Sequence, residues 1–424
     1  MNRTFLTALL ATLLLLVGLL TFHAPVIGLA FPFLIYLLVG FWRGPAHIDL
    51  VAERSLSAER ALTGDEITVI LTVRNKGKNL AEVLVEDLLA EGLSVVTGQA
   101  RHLTSLAGGR SVTWTYTISG RRGYYSLNRV RATARDPLGL VIRQSILPTD
   151  GQLFILPPTL RLRRVSIQPR RTRVYSGTIP ARQGGTGVEF FDIRDYLPGD
   201  SPRWINWRAA ARHPEGLYSN EFEQERVVDV GIILDGRRAS NEFGRRSIFE
   251  HSVLAAAALS DALISTGNRV GMLFYGKQVV WTLPGYGKLQ SERILHDLSR
   301  LETGESMAFT NIYVPHHLFP AHSQLVIISP LVTDDFHMLA ELRLRGFHML
   351  VISPNPVSFE AATLPPTEAV QLAQQIVQMQ RLVLLRRLRN MGIQVMDWDI
   401  TVPFETAAKR DLERRPMMTR GIQP

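Results

Sequence analysis

The chain has 424 residues, of which 46% are hydrophobic and 20% charged, with a net charge of +9 and no cysteine. That length exceeds one ordinary core and asks for two or three domains. The lack of thiols excludes disulfides, iron–sulfur clusters, thiolate zinc and thiol catalysis.

Residues 5–20 and 26–42 are almost wholly apolar, with a short join at 21–25. Each run reaches the lower end of the roughly 17–25 residues that a bilayer-crossing helix needs. The pattern predicts a two-helix transmembrane hairpin over residues 1–44, because a cleavable signal would not run straight into a second apolar span. Arg3 and Arg43 flank its outer ends, so the positive-inside rule places everything after it in the cytoplasm of a multi-pass inner-membrane protein. Phe31, Phe33, Tyr36, Phe41 and Trp42 suit a span and its interfacial belt.

From 45 to 148 the pattern changes to short alternating runs. Residues 66–74 alternate with a period of two and stop at an Asn75-Lys76-Gly77 turn. Residues 83–88, 111–119 and 130–134 read as further strands, and strands at this spacing predict an immunoglobulin-like β-sandwich. Residues 149–180 read as a linker rich in proline and arginine. Arg161, Arg163, Arg164, Arg170, Arg171 and Arg173 could meet anionic lipid headgroups, worth about 1 kcal/mol each near a surface, or belong to an ordinary solvated linker.

Residues 181–226 are the densest part of the chain. A Pro198-Gly199-Asp200 turn sits between Arg194-Asp195-Tyr196 and the run Pro202-Arg203-Trp204-Ile205-Asn206-Trp207-Arg208. Acids and bases interleave here, which points to internal ion pairs and away from a nucleic-acid groove. The expectation is a partly buried network of Arg194, Asp200, Arg203 and Arg212, with Trp204 or Trp207 against a guanidinium.

The string EFFDIRDYLPGDSPRWINWRAAAR, followed by NEFEQE, resembles the signature of the bacterial domain of unknown function 58 family. Glu189, Phe190, Arg194, Tyr196, Gly199, Asp200, Arg203, Ile205, Trp207, Ala211 and Arg212 hold matching types at matching offsets, with Glu223 and Glu225 in the acidic tail. Arg121-Arg122-Gly123-Tyr124-Tyr125 and Asp136-Pro137-Leu138-Gly139-Leu140 resemble segments that precede that signature.

Residues 227–404 alternate strand-like and helical runs, as an open, mostly parallel sheet covered on both faces requires. Strands are expected at 227–235, 269–275, 324–329, 347–353 and 393–398, and helices at 247–265, 289–301, 336–345 and 367–391. Residues 405–424 read as a polar tail. Ligands on such sheets bind beyond the carboxyl ends of the strands, which directs attention to Asp235, Thr310 and the loop after Ser329.

The resemblance implies an α/β von Willebrand factor A-like domain here, whose usual Mg²⁺ site begins aspartate-x-serine-x-serine. This chain keeps Asp235 but has Arg237 and Ala239 where the serines would stand, and Pro330 follows Ser329, with Asp334 and Asp335 close by. No metal or other cofactor is expected. Gly285-Tyr286-Gly287-Lys288 lacks phosphate-loop spacing, His316, His317 and His322 lack a fixed carboxylate partner, and Ser260 and Ser329 lack a hydrolase elbow.

The expectation is a membrane-anchored, non-enzymatic scaffold without catalytic residues. By resemblance it would act with a MoxR-type AAA+ ATPase in assembling or maturing protein complexes at the cell envelope. The competing reading is an envelope hydrolase using Glu189, Asp195 and Asp200 as acid and base.

Overall fold

The computed structural model describes residues 3–43, 47–135, 142–160, 162, 173–213, 216–227, 229–243, 246–305, 314–315, 318–319, 323–362, 364–365 and 367–412. They form two compact units, Met1–Leu156 and Pro157–Pro424.

The first unit opens with helices α1 (Arg3–Leu20) and α2 (Ala24–Arg43), which pack against each other with Ala11 and Ala30 buried. Among the described residues no helix is long and apolar enough to cross a membrane. This corrects the expected transmembrane hairpin and, with it, the multi-pass inner-membrane location. α1 counts Arg3 among its 18 residues and rises about 27 Å, short of a hydrocarbon core of about 30 Å. Pro32 interrupts the hydrogen-bond ladder of α2.

The strands of this unit are β1 (Leu50–Leu56), β2 (Arg60–Leu62), β3 (Ile67–Asn75), β4 (Leu80–Asp87), β5 (Leu93–Thr97) and β6 (Arg101–Leu106). β7 (Ser111–Gly120), β8 (Gly123–Ser126), β9 (Arg129–Arg135), β10 (Ile142–Pro148) and β11 (Gln152–Leu156) follow. Two four-stranded antiparallel sheets, β1-β3-β7-β5 and β10-β9-β4-β6, share a core of Leu71, Val73, Val83, Val85, Val130 and Ala132. The alternation along β3 sends Ile67, Val69, Leu71 and Val73 inward, as a two-residue period demands. Arg54 and Asp87 form a fully buried pair in this unit, and Tyr116 donates its hydroxyl to the same carboxylate. Burial, then the Asp87 charge, pushes the Tyr116 phenol far above its ordinary range.

The second unit begins with β12 (Arg173–Asp195), α3 (Trp207–Arg212) and β13 (Tyr218–Val227); β12 and β13 pair antiparallel with several register shifts. The segment expected as a linker thus contains β11 and the first part of β12. Arg161, Arg163, Arg164, Arg170 and Arg171 lie outside the described residues, as does the side chain of Arg173.

There follow β14 (Asp229–Asp235), α4 (Arg238–Asn241), β15 (Glu242–Phe243), β16 (Arg246–Ser247), α5 (Phe249–Ser265), β17 (Arg269–Tyr275), β18 (Val279–Gly285) and α6 (Gly287–Arg300). The chain continues through β19 (Gln324–Ile328), α7 (Asp335–Leu344), β20 (His348–Pro354), α8 (Pro356–Ala361), α9 (Glu368–Asn390), β21 (Gln394–Trp398) and α10 (Phe404–Leu412). The sheet order is β18-β17-β14-β19-β20-β21, parallel throughout except for β18 at one edge. α5, α6 and α10 cover one face around Ile232 and Leu234, while α7 and α9 cover the other around Ile233 and Ile327. Four successive alanines, Ala255 to Ala258, suit α5 twice: they favour helix and they are small enough for close approach to the sheet. α10 buries Phe404, Ala407, Ala408 and Leu412, so part of the expected polar tail is packed helix.

Candidate functional site

Interlocked charges occupy two places in the second unit. The first is the signature stretch. Past β12 the chain turns at Leu197-Pro198-Gly199-Asp200, where Gly199 takes a φ of 112° that side-chain-bearing residues rarely adopt. The turn closes through Asp200 N donating to Leu197 O at 3.0 Å and Leu197 N donating to Asp200 Oδ2 at 2.9 Å. It folds the carboxylate back onto Arg194, whose Nη1 and Nη2 donate to Oδ2 and Oδ1 at 2.8 and 2.7 Å. This is the two-pronged geometry that a guanidinium favours. Tyr196 Oη donates to Asp200 O at 3.1 Å, and Glu221 Oε1 lies 3.8 Å from Arg194 Nε. The Arg194 hydrogen bonds, then the Leu197 amide, hold the Asp200 carboxyl below its ordinary range.

The wider network expected here does not form among the described contacts. Arg203 sits on the short 3₁₀ turn Pro202–Trp204 and Arg212 in the last turn of α3, and both side chains point to solvent. Trp207 is 68% exposed. Phe190 and Asp195 are exposed as well. Glu189 lies on β12 and Glu223 and Glu225 on β13, with their side chains outside the described residues.

One residue that the sequence reading passed over is Asn206. Its Oδ1 accepts from Ala209 N at 2.9 Å, capping α3, and its Nδ2 donates to Asn220 Oδ1 at 2.7 Å, tying that helix to β13. An asparagine just before a helical run is the signal that marks it.

The second place is the carboxyl edge of the parallel sheet. β14 ends on Asp235, fully buried, and the chain leaves through Gly236, where a Cβ would stand 2.3 Å from the Phe274 ring. That close approach brings Arg237 back over the strand end. Asp235 Oδ1 accepts from Arg237 N at 2.9 Å and Nε at 3.0 Å. Its Oδ2 accepts from Arg237 Nη2 at 2.9 Å, Ser240 Oγ at 2.8 Å and Ser329 Oγ at 2.7 Å. The same Nη2 donates to Asp335 Oδ2 at 2.8 Å, which also accepts from Val332 N at 2.9 Å. Side-chain exposures are 0% for Asp235, 11% for Arg237 and 3% for Asp335. Burial opposes charge on Arg237, but Asp235 and Asp335 more than offset it and keep the guanidinium protonated. Burial raises the Asp335 carboxyl above its ordinary range against the opposing pull of Arg237.

Arg381, from α9, closes the next stretch of this edge. It donates to Pro330 O at 2.7 Å, to Ser353 Oγ at 2.9 Å and to Asp397 Oδ1 at 2.8 Å. Ser353 Oγ adds a bond to Pro330 O at 3.0 Å. These contacts hold the loop in which Leu331 adopts a φ of 62°, a left-handed conformation costing about 1–2 kcal/mol for a residue with a Cβ.

The Mg²⁺ that the resemblance implies does not fit these residues. Ala239 offers no oxygen, and the Arg237 guanidinium lies between the two carboxylates that would hold the ion. Thr310, His316, His317 and His322 lie outside the described residues. Among the described residues no cluster of three His, Asp or Glu side chains could hold a metal.

Residues 192–383 match the family model described as protein of unknown function DUF58, which supports reading the chain as a member of that family. No curated protein matches. Among solved structures, a FixG-related protein from Vibrio parahaemolyticus aligns at 10% identity over 25% of this chain and 95% of its own, with a TM-score of 0.18. The CARDB domain of a Pyrococcus furiosus protein aligns at 15% identity over 24% of this chain and 90% of its own, with a TM-score of 0.16. The cupredoxin domain of amoB from Nitrosocaldus yellowstonii does so at 12% over 27% and 95%, with a TM-score of 0.17. At these TM-scores none bears on the fold or the function.

Proposed function

We propose that this protein is a non-enzymatic protein-interaction component that works with a MoxR-type AAA+ ATPase in the assembly or maturation of other protein complexes. Its von Willebrand factor A-like sheet is the scaffold of that interaction. The observation that carries the reading is the state of the carboxylates. Asp200 is clasped by Arg194, and Asp235 is clasped by Arg237 and two serine hydroxyls, so neither is placed as a free acid or base. A general base needs a reachable, unengaged oxygen. The choice of ATPase rests on the family resemblance. α9 adds a surface suited to a protein partner, since Leu372, Ile376, Met379 and Val383 are exposed at spacings of four, three and four along one helical face.

The test is co-purification of the tagged full chain with the MoxR-type ATPase of the same cells, with and without ATP, followed by mass spectrometry. The ATPase should be enriched, and Ile376→Glu with Met379→Glu should reduce that enrichment at least tenfold while leaving the melting temperature unchanged. Enrichment of no ATPase, together with a hydrolytic activity that Asp195→Asn abolishes, would replace this reading with the hydrolase.

A further inference from the structure

We propose that Arg237 is a resident cation: its Nη2 takes the place of a divalent metal ion at the end of β14, so this sheet edge is held together without metal. The inference goes beyond the reading of function and stands on the strand-end geometry alone.

Two carboxylates with exposures of 0% and 3% meet at this point, and so much negative charge withdrawn from water requires a positive partner. Around them stand the hydroxyls of Ser240 and Ser329, both buried and both donating to Asp235 Oδ2. Carboxylate and hydroxyl oxygens gathered from separate loops are the hard donors that Mg²⁺ and Ca²⁺ prefer. The centre of this set is filled. Nη2 lies 2.9 Å from Asp235 Oδ2 and 2.8 Å from Asp335 Oδ2, bridging residues 98 positions apart in the chain.

A guanidinium keeps its charge at every accessible pH. Tethered two residues from Asp235, it also competes as an intramolecular ligand at a high effective concentration. A free ion therefore has no entry while Arg237 is present. The backbone reinforces the placement: Arg237 N donates to Asp235 Oδ1, Arg238 N donates to Gly304 O and Gly304 N donates to Gly236 O, at 2.9, 2.9 and 3.0 Å. The arginine is thus held from its main chain as well as from its fork.

An ordinary buried ion pair predicts a different response to substitution. Removing its cation would destabilise the fold, and added metal would do nothing. A resident cation predicts that a smaller side chain leaves a space lined by two carboxylates and two hydroxyls, which a divalent ion then fills.

The experiment is a thermal melt of the full chain in EDTA and in increasing millimolar Mn²⁺. Wild type should melt at one temperature throughout. Arg237→Ser should melt roughly 10 °C lower in EDTA and recover with Mn²⁺ in a saturable, dose-dependent way, and adding Asp235→Asn to it should abolish the recovery. A dose-dependent rise in wild type overturns the proposal. So does an R237S protein that melts like wild type, or one that is destabilised and blind to Mn²⁺. Should R237S fail to fold in EDTA and in Mn²⁺ alike, Arg237→Lys, which returns a positive charge to the site, decides: a folded, Mn²⁺-insensitive R237K supports a resident cation, and an unfolded one overturns it.

Discussion

The pair Arg194–Asp200 and the cluster Asp235–Arg237–Asp335 are built from the same two functional groups, yet they belong to different physical regimes. Arg194 is 35% exposed and Asp200 12%, and a local turn brings together these two residues six positions apart. Arg237 joins a neighbour two residues away to a partner 98 residues away, and every member is nearly out of contact with water. The first contact shapes a turn and is screened by solvent. The second ties the end of β14 to the start of α7 and leaves three charges that depend on one another. The conspicuous charge pattern of the signature therefore marks the more exposed contact, and the more buried one sits at a strand end whose second carboxylate lies 98 residues away in the chain.

The largest effect that would break this contrast is expected at Asp235. Asp235→Asn removes one of the two charges that balance Arg237 while keeping the shape, and a buried pair that loses one partner costs roughly 3–5 kcal/mol. Urea denaturation of the second unit's transition should show the midpoint falling with little change in slope. An unchanged midpoint would place the two contacts in the same regime.

Much of the central sheet is legible in sequence for a reason the same contrast illustrates. Strands buried on both faces, such as β14 and β19, read as continuous apolar runs, and residues 227–235 and 324–329 stand out accordingly. The β12–β13 hairpin does not stand out, because glycines, prolines and charges interrupt any two-residue period and its register shifts repeatedly. The apolar runs at 5–20 and 26–42 show the opposite error: composition signals burial in an apolar medium, whereas crossing one also requires a helix that is long and apolar enough, which no helix among the described residues is. At the candidate site, Asp235 and Arg237 are adjacent enough to be read together. Asp335 and Arg381 join the edge only because the parallel crossovers return α7 and α9 to it, and no local pattern announces that.

A smaller effect separates the two carboxylates by the sign of their titration. The Asp335 carboxyl is raised on folding, so its contribution is complete below its unfolded value near 3.8 and is lost as pH rises through the higher folded value. The Asp200 carboxyl is lowered, so its contribution is present above 3.8 and is lost as pH falls through the lower folded value. The stability of wild type relative to Asp335→Asn should therefore decline as pH rises from 3.8, and relative to Asp200→Asn it should decline as pH falls below 3.8. Chemical denaturation across that range for the three proteins measures both slopes. Two slopes of the same sign would refute the assignment.

The smallest effect concerns the signature itself. Asp200→Asn keeps one oxygen, which can still accept from both the Leu197 amide and Arg194 Nη1 as Oδ2 does, and loses the Oδ1 contact to Nη2, so the turn survives and the melting temperature drops only slightly. Gly199, with its φ of 112°, still dictates the turn. Arg203→Met removes an exposed charge on a single 3₁₀ turn, a change that normally stays within about 0.5 kcal/mol. Since the two side chains share no contact among the described residues, the double variant should equal the sum of the singles within about 0.5 kcal/mol. If Arg203 and Asp200 instead belong to one buried network, Arg203→Met alone would be costly and the double would lose clearly less than the sum. Melts of the two singles and the double distinguish these outcomes, and a large non-additive loss would restore the signature stretch as the ion-pair hub of the second unit.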